Sequence, residues 1–214
     1  MQMQNKEFLC SDLGNVIVKF DNSHLKRILK RKANFDEFLK DYLDFDKGKT
    51  EYLLELFRDV KKYFREGVMF TDFVSAFRNC ITGINERVFN ALLYIKESER
   101  AKFVCITDNN EFCVALTALY CPEVFFLFND NGTDRWIVSN QIKSLKTSTM
   151  PFVIAASRYG ASPDKSVFLD DHQENLDAAI KYGYNPDSCF LVDAGNIKNQ
   201  AALEKFLAKH FPPK

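Results

Sequence analysis

The sequence has no stretch approaching the ~20 consecutive apolar residues that a membrane-spanning helix needs. Its N-terminus, MQMQNKEFLC, lacks the apolar core and small-residue cleavage site of a secretory signal. It also lacks net charge: basic and acidic side chains number 29 each, so no overall field draws it to nucleic acid or an anionic membrane. The basic run Lys26-Arg27 with Lys30-Arg31-Lys32 therefore reads as a solvated helix face. Six cysteines (Cys10, Cys80, Cys105, Cys113, Cys121, Cys189) are scattered without CxxC or zinc-ligand spacing, and none shares a recognisable motif with His24, His172 or His210. That pattern argues against a zinc site and a catalytic thiol, and it fits a reducing cytoplasm. No internal repeat and no low-complexity segment occurs.

The apolar runs that are present are short and alternate with helical patterns. Residues 8–10, 102–106, 124–128, 136–138, 166–169 and 189–192 read as strands. Helical spacing joins Val88, Leu92 and Ile95, then Phe112, Leu116 and Leu119. It also joins Leu176, Ala179 and Ile180, closed by Gly183, and finally Leu203, Phe206, Leu207 and His210. Strand–helix alternation predicts an α/β fold with a parallel, doubly wound sheet.

Residues 22–87 differ. They carry little strand signal but four aromatic helical stripes: Leu25-Ile28-Leu29, Phe35-Phe38-Leu39-Tyr42, Leu53-Leu56-Phe57-Val60-Phe64 and Phe73-Val74-Phe77. Thr50 before Glu51 and Thr71 before Asp72 are the expected N-caps. The organisation expected is an α/β core of residues 1–21 and 88–214 with an inserted, all-helical cap of residues 22–87.

Four segments carry candidate chemistry. Asp12 follows the first strand and precedes a Gly14-Asn15 turn. Thr107-Asp108-Asn109-Asn110 follows the strand at 102–106. Lys146, with Lys143 as its competitor, precedes a helix that Pro151 would help start. Asp170-Asp171 closes the run at 166–169. In an open α/β sheet ligands bind at the carboxyl ends of the strands, so these segments would converge if the strands are neighbours. Taken singly, each has a plainer reading as a turn or helix cap or a surface lysine.

Order and spacing resemble the haloacid dehalogenase superfamily. SDLGNVIVKFD and VFLDDHQENLDAA are similar to its helical-cap subfamily, in particular to the α-D-glucose-1-phosphatase-like bacterial hydrolases. The resemblance spans essentially the whole chain. It implies a Mg²⁺-dependent phosphatase acting on a small phosphorylated metabolite, plausibly a sugar phosphate, as a monomer or homodimer. Asp12 is then the nucleophile that forms an aspartyl-phosphate. Asp12, the Gly14 carbonyl, Asp170 and Asp171 would hold the metal, and Thr107, Asp108 and Lys146 would meet the phosphate.

The sequence departs from the superfamily pattern at three points. Gly14 stands where most of these phosphatases carry a second Asp as general acid–base, a function worth ~10²–10⁴-fold. Asp21 and His24 are the nearby substitutes. Asp108 adds a negative charge where Asn or a small residue is common, and Thr147 replaces the usual Pro after the lysine. These departures keep a catalytically weak binding protein open as an alternative. A 2-haloacid dehalogenase needs no metal, so the Asp170-Asp171 pair speaks against it.

Overall fold

The computed structural model describes residues 6–30, 35–50 and 52–213. Arg31 and Lys32 of the basic run, Glu51 and the first five residues of the N-terminal segment lie outside them.

Apolar runs at Phe8–Ser11 (β1), Lys102–Thr107 (β4), Trp136–Val138 (β7), Ser166–Asp170 (β8) and Cys189–Leu191 (β9) form one parallel sheet, ordered β7-β4-β1-β8-β9. Both faces are covered, as an all-parallel sheet requires. Leu9, Phe103, Cys105, Val167 and Leu169 pack into one cluster with Val88, Leu92 and Leu207. The alternate residues Phe8, Cys10, Val104, Ile106 and Phe168 pack into another with Phe152 and Ala179. The first cluster is covered by helices Glu86–Glu97 (α5) and Ile197–His210 (α11), the second by Met150–Tyr159 (α9) and Gln173–Tyr182 (α10). Gly183 ends α10 at φ 128°, its N–H bonding the carbonyls of Ala179 and Ile180.

Between β1 and α5 lie Ser23–Ile28 (α1), Phe35–Asp46 (α2), Leu53–Val60 (α3) and Phe70–Cys80 (α4). Their stripes interlock in a cluster around Phe38, Phe57, Phe64, Phe73 and Phe77, with the last two rings 4.8 Å apart and edge to face. This insertion is not wholly helical. Val18–Phe20 (β2) pairs antiparallel with Ile81–Ile84 (β3), forming a two-stranded ribbon where the chain leaves and re-enters the core.

Other departures from expectation have local causes. Residues 124–128 are not a strand but most of a short helix, Glu123–Phe128 (α7). Pro122 precedes it at φ −60°, and Val124, Leu127 and Phe128 are buried at helical spacing while Phe126 faces solvent. In Glu111–Tyr120 (α6) the buried positions are Cys113 and Thr117. Leu119 of the expected stripe is exposed, and Phe112 and Leu116 are half-buried against the cap. Neither threonine caps its helix. α3 begins at Leu53, after Tyr52, and α4 at Phe70, where the Asp72 carboxylate accepts the Met69 N–H at 2.8 Å. The hairpin Asn129–Asp130 (β5) and Thr133–Asp134 (β6) and the short helix Ser139–Ile142 (α8) complete the elements. Among the described residues no helix is long and apolar enough to cross a membrane.

Candidate active site

The chain leaves β1 for β4 and β7 on one side, then returns to β8 and β9 on the other. The reversal places the β1 and β8 ends side by side, which is where open α/β sheets bind ligands. Asp12 follows β1 directly and its N–H bonds the Leu169 carbonyl at 2.9 Å. Asp170 ends β8 and Thr107 ends β4, and all three are buried.

Lys146 reaches this point from a single 3₁₀ turn, Lys146–Ser148, with its side chain buried. Its Nζ lies 2.8 Å from Asp12 Oδ1 and 2.7 Å from Asp170 Oδ2. Lys143 points elsewhere, donating to the Gly48 carbonyl at 2.7 Å. Burial works against the Lys146 charge, but Asp12, Asp170 and Asp108 outweigh it and hold the ammonium above its ordinary value. Asp12 is pushed up to about 7, first by burial and then by Asp170 and Asp171, with Lys146 pulling the other way. One lysine does not neutralise these carboxylates.

Each neighbour is oriented. Asp170 Oδ1 accepts from the His172 N–H and from Asn175 Nδ2, both at 2.9 Å. Asp171 is half-buried and its Oδ1 is enclosed without a hydrogen-bond partner. One carboxylate oxygen each from Asp12, Asp170 and Asp171 lies within 4.8 Å of the others. An all-oxygen set with an excess of negative charge and an orphaned oxygen fits a hard divalent cation. The Gly14 carbonyl accepts the Val16 N–H at 2.7 Å and keeps a second lone pair. The turn beyond it is fixed by Asn15, at φ 53°, and by Asn85, whose amide donates to the carbonyls of Asn15 at 3.1 Å and Val16 at 2.9 Å.

Asp108 turns its carboxylate to the Lys146 backbone N–H at 2.9 Å, bracing the lysine's turn. Asn110 caps α6 by accepting the Cys113 N–H at 3.0 Å. Asp21 is exposed and accepts from the Ser23 N–H at 2.8 Å and hydroxyl at 2.7 Å. Those bonds hold its carboxyl below the ordinary range, so it is a poor stand-in acid. Beside Asp171 opens a cavity of about 450 Å³, lined by Asn15, Lys19, Phe20, Asn85 and Asp193 among others.

Comparison with solved structures identifies the architecture. A HAD family enzyme from Bacteroides thetaiotaomicron, solved as a magnesium complex, superposes with a TM-score of 0.72 at 18% identity, covering 91% of this chain and 96% of its own. The chain has the HAD fold. A predicted HAD-like family hydrolase from Porphyromonas gingivalis gives 0.70 at 19% identity over 94% and 98% of the two chains. The L-2-haloacid dehalogenase of Xanthobacter autotrophicus gives 0.60 at 11% identity over 98% and 90%. No protein-family model and no curated protein sequence matches the chain. The fold is thus common to enzymes of different chemistry, and the site must decide between them.

Asp46, Asn85, Ser139 and Asn175 took no part in the sequence reading of the site. Asn175 had a signal: it lies five residues after Asp170, in the first turn of α10, where its amide reaches back to the carboxylate. Asp46 and Ser139 meet only through tertiary structure.

Proposed function

We propose that the protein is a Mg²⁺-dependent phosphatase of small phosphorylated metabolites, with Asp12 as nucleophile. The observation that carries this reading is the trio Asp12, Asp170 and Asp171, under-neutralised by Lys146 and holding an orphaned oxygen. A metal-free reaction would leave the three carboxylates under-neutralised, whereas a bound cation would balance them and supply the positive charge that a phosphate dianion beside a carboxylate needs. Asp12, Asp170, Asp171 and the Gly14 carbonyl would hold the cation, which when bound supplies that charge. The Bacteroides thetaiotaomicron enzyme, also solved with magnesium and inorganic phosphate, supports the same ligands.

In the proposed reaction an Asp12 carboxylate oxygen attacks phosphorus while the bond from phosphorus to the leaving oxygen breaks. The leaving alkoxide takes a proton from solvent, and water then cleaves the aspartyl-phosphate to inorganic phosphate and free Asp12. Lys146 screens the phosphate, and the Thr107 hydroxyl offers it a hydrogen bond. Because Gly14 provides no acid and Asp21 is held ionised, the reading favours acidic leaving groups, such as the anomeric oxygen of a sugar phosphate. The core of residues 1–21 and 88–214 would perform this chemistry and the cap of residues 22–87 would select the substrate.

The test is phosphate release from a panel of anomeric, aryl and primary-alcohol phosphate esters, with Mg²⁺ and with excess chelator. Mg²⁺-dependent release, fastest for acidic leaving groups, is expected. Full activity in chelator, or release from no ester, would overturn the reading.

A further inference from the structure

The end of α2 is tied to the core by polar groups that the proposed chemistry does not itself require. Three carbonyls at or just beyond this helix end accept from core side chains: Phe45 from Asn140 Nδ2 at 2.6 Å, Asp46 from the Ser139 hydroxyl at 2.7 Å, and Gly48 from Lys143 Nζ at 2.7 Å. The Phe45 carbonyl also accepts the Gly48 N–H at 2.8 Å, so the helix end is held both by its own turn and by the core. Below them the buried Asp46 carboxyl accepts from Asn110 Nδ2 at 2.7 Å, and the same amide lies 2.7 Å from the Tyr42 hydroxyl. Since Asn110 Oδ1 also caps α6, its amide is held at both ends. Ser139 Oγ in turn accepts the Asn109 N–H at 2.9 Å. The cap therefore grips Asn110 directly and Asn109 through the core residue Ser139.

We propose that Asp46 is a positioning residue of the reaction, which from the cap fixes Asn110 and with it the Thr107-Asp108-Asn109 turn against which phosphate would lie. This rests on the phosphatase reading for its ligand, but the coupling of cap to turn is independent of it.

Among the described residues no cationic side chain forms an ion pair with Asp46. The groups facing it are the Tyr42 hydroxyl on its own helix, the Asn110 amide, the Asp108 carboxylate on the turn and the Cys113 thiol on α6. The Lys143 ammonium, which reaches the same helix end, is engaged by the Gly48 carbonyl. Burial pushes Asp46 up to about 8, with Asp108 adding to the effect and the hydrogen bonds from Asn110 and Tyr42 opposing it. The docked seam thus holds a proton on Asp46 at neutral pH that an opened, hydrated seam would release. Docking is favoured at low pH and weakens as pH rises from the carboxylate range to about 8, beyond which the dependence levels off.

The experiment compares wild type, Asp46→Ala and Asp46→Asn, with inorganic phosphate in the presence of Mg²⁺ as the probe. Amide hydrogen exchange over residues 107–113 is followed in parallel from pH 6 to pH 9. Asp46→Ala is expected to weaken phosphate binding about tenfold, within the ordinary range of coupling between sites, and to speed exchange in the turn. Asp46→Asn keeps an acceptor for Asn110 and never ionises. It is expected to exceed wild type by a margin that already shows at pH 6 and widens toward pH 8, a comparison in which phosphate's own titration cancels. Wild-type binding and exchange in Asp46→Ala would overturn the proposal, as would wild type and Asp46→Asn running parallel at every pH. Should Asp46→Ala fail to fold, the Asp46→Asn comparison decides. Wild type that binds no phosphate, while exchange in the turn still speeds up in Asp46→Ala, refutes the phosphatase reading and supports the coupling.

Discussion

Two buried aspartates, Asp12 at the end of β1 and Asp46 at the end of α2, are both pushed well above the usual carboxylate range, to about 7 and about 8. Their surroundings differ in kind. Asp12 sits among charges: Lys146 on one side, Asp170 and Asp171 on the other. Its imbalance is one that a divalent cation corrects. Asp46 sits among an amide and a hydroxyl, with Asp108 nearby, and only a proton corrects its burial. On the proposed reading, the same residue type serves as a charged reactant in one place and a neutral fastener in the other, according to what faces it.

Substitutions should separate the two. The largest effect is expected from Asp12→Asn, which should reduce turnover of an aryl phosphate to background while leaving the circular dichroism spectrum of wild type. Next, Asp170→Ala leaves the buried Lys146 with Asp12 alone. It should abolish the Mg²⁺ signal in titration calorimetry while Lys146 keeps its pairing with Asp12. Asn175→Ala removes only the amide that orients Asp170, and should weaken Mg²⁺ binding about 10–100-fold, as is usual for partners of metal ligands. On the Asp46 side, a carboxyl raised by folding binds more protons in the folded state, so its stabilisation is present at low pH and lost as pH rises toward 8. Melting temperatures in chelator should therefore fall less between pH 5 and pH 8 in Asp46→Asn than in wild type. The smallest effect is expected from Gly14→Asp. A Cβ there meets the Phe20 ring at 3.6 Å, an ordinary contact, and kcat/KM should rise for primary-alcohol phosphates and hardly change for aryl ones.

The two regions also differed in how far the sequence disclosed them. β1, β4 and β8 are buried on both faces and read as unbroken apolar runs ending in Ser-Asp, Thr-Asp and Asp-Asp, so strands and candidate residues were visible together. Residues 124–128 misled because a run of β-branched and aromatic residues suits a strand as well as a buried helix. The deciding evidence was Pro122 and the spacing of Val124, Leu127 and Phe128. The β2–β3 ribbon escaped notice because strands of three and four residues are too short to show a period. Asp46 escaped because an acid near the end of an amphipathic helix looks solvated. Its partners, Asn110 and Ser139, lie 64 and 93 residues further along the chain, and only the fold brings them into reach.

The central claim is that Asp12 attacks phosphorus, and trapping the intermediate tests it most directly. Protein mixed with radiolabelled p-nitrophenyl phosphate and Mg²⁺, then quenched in acid within the first turnover, should carry the label on the peptide containing Asp12. Asp12→Asn, and wild type in chelator, should carry none. Label-free wild type that nonetheless releases phosphate, or label on any other residue, would contradict it.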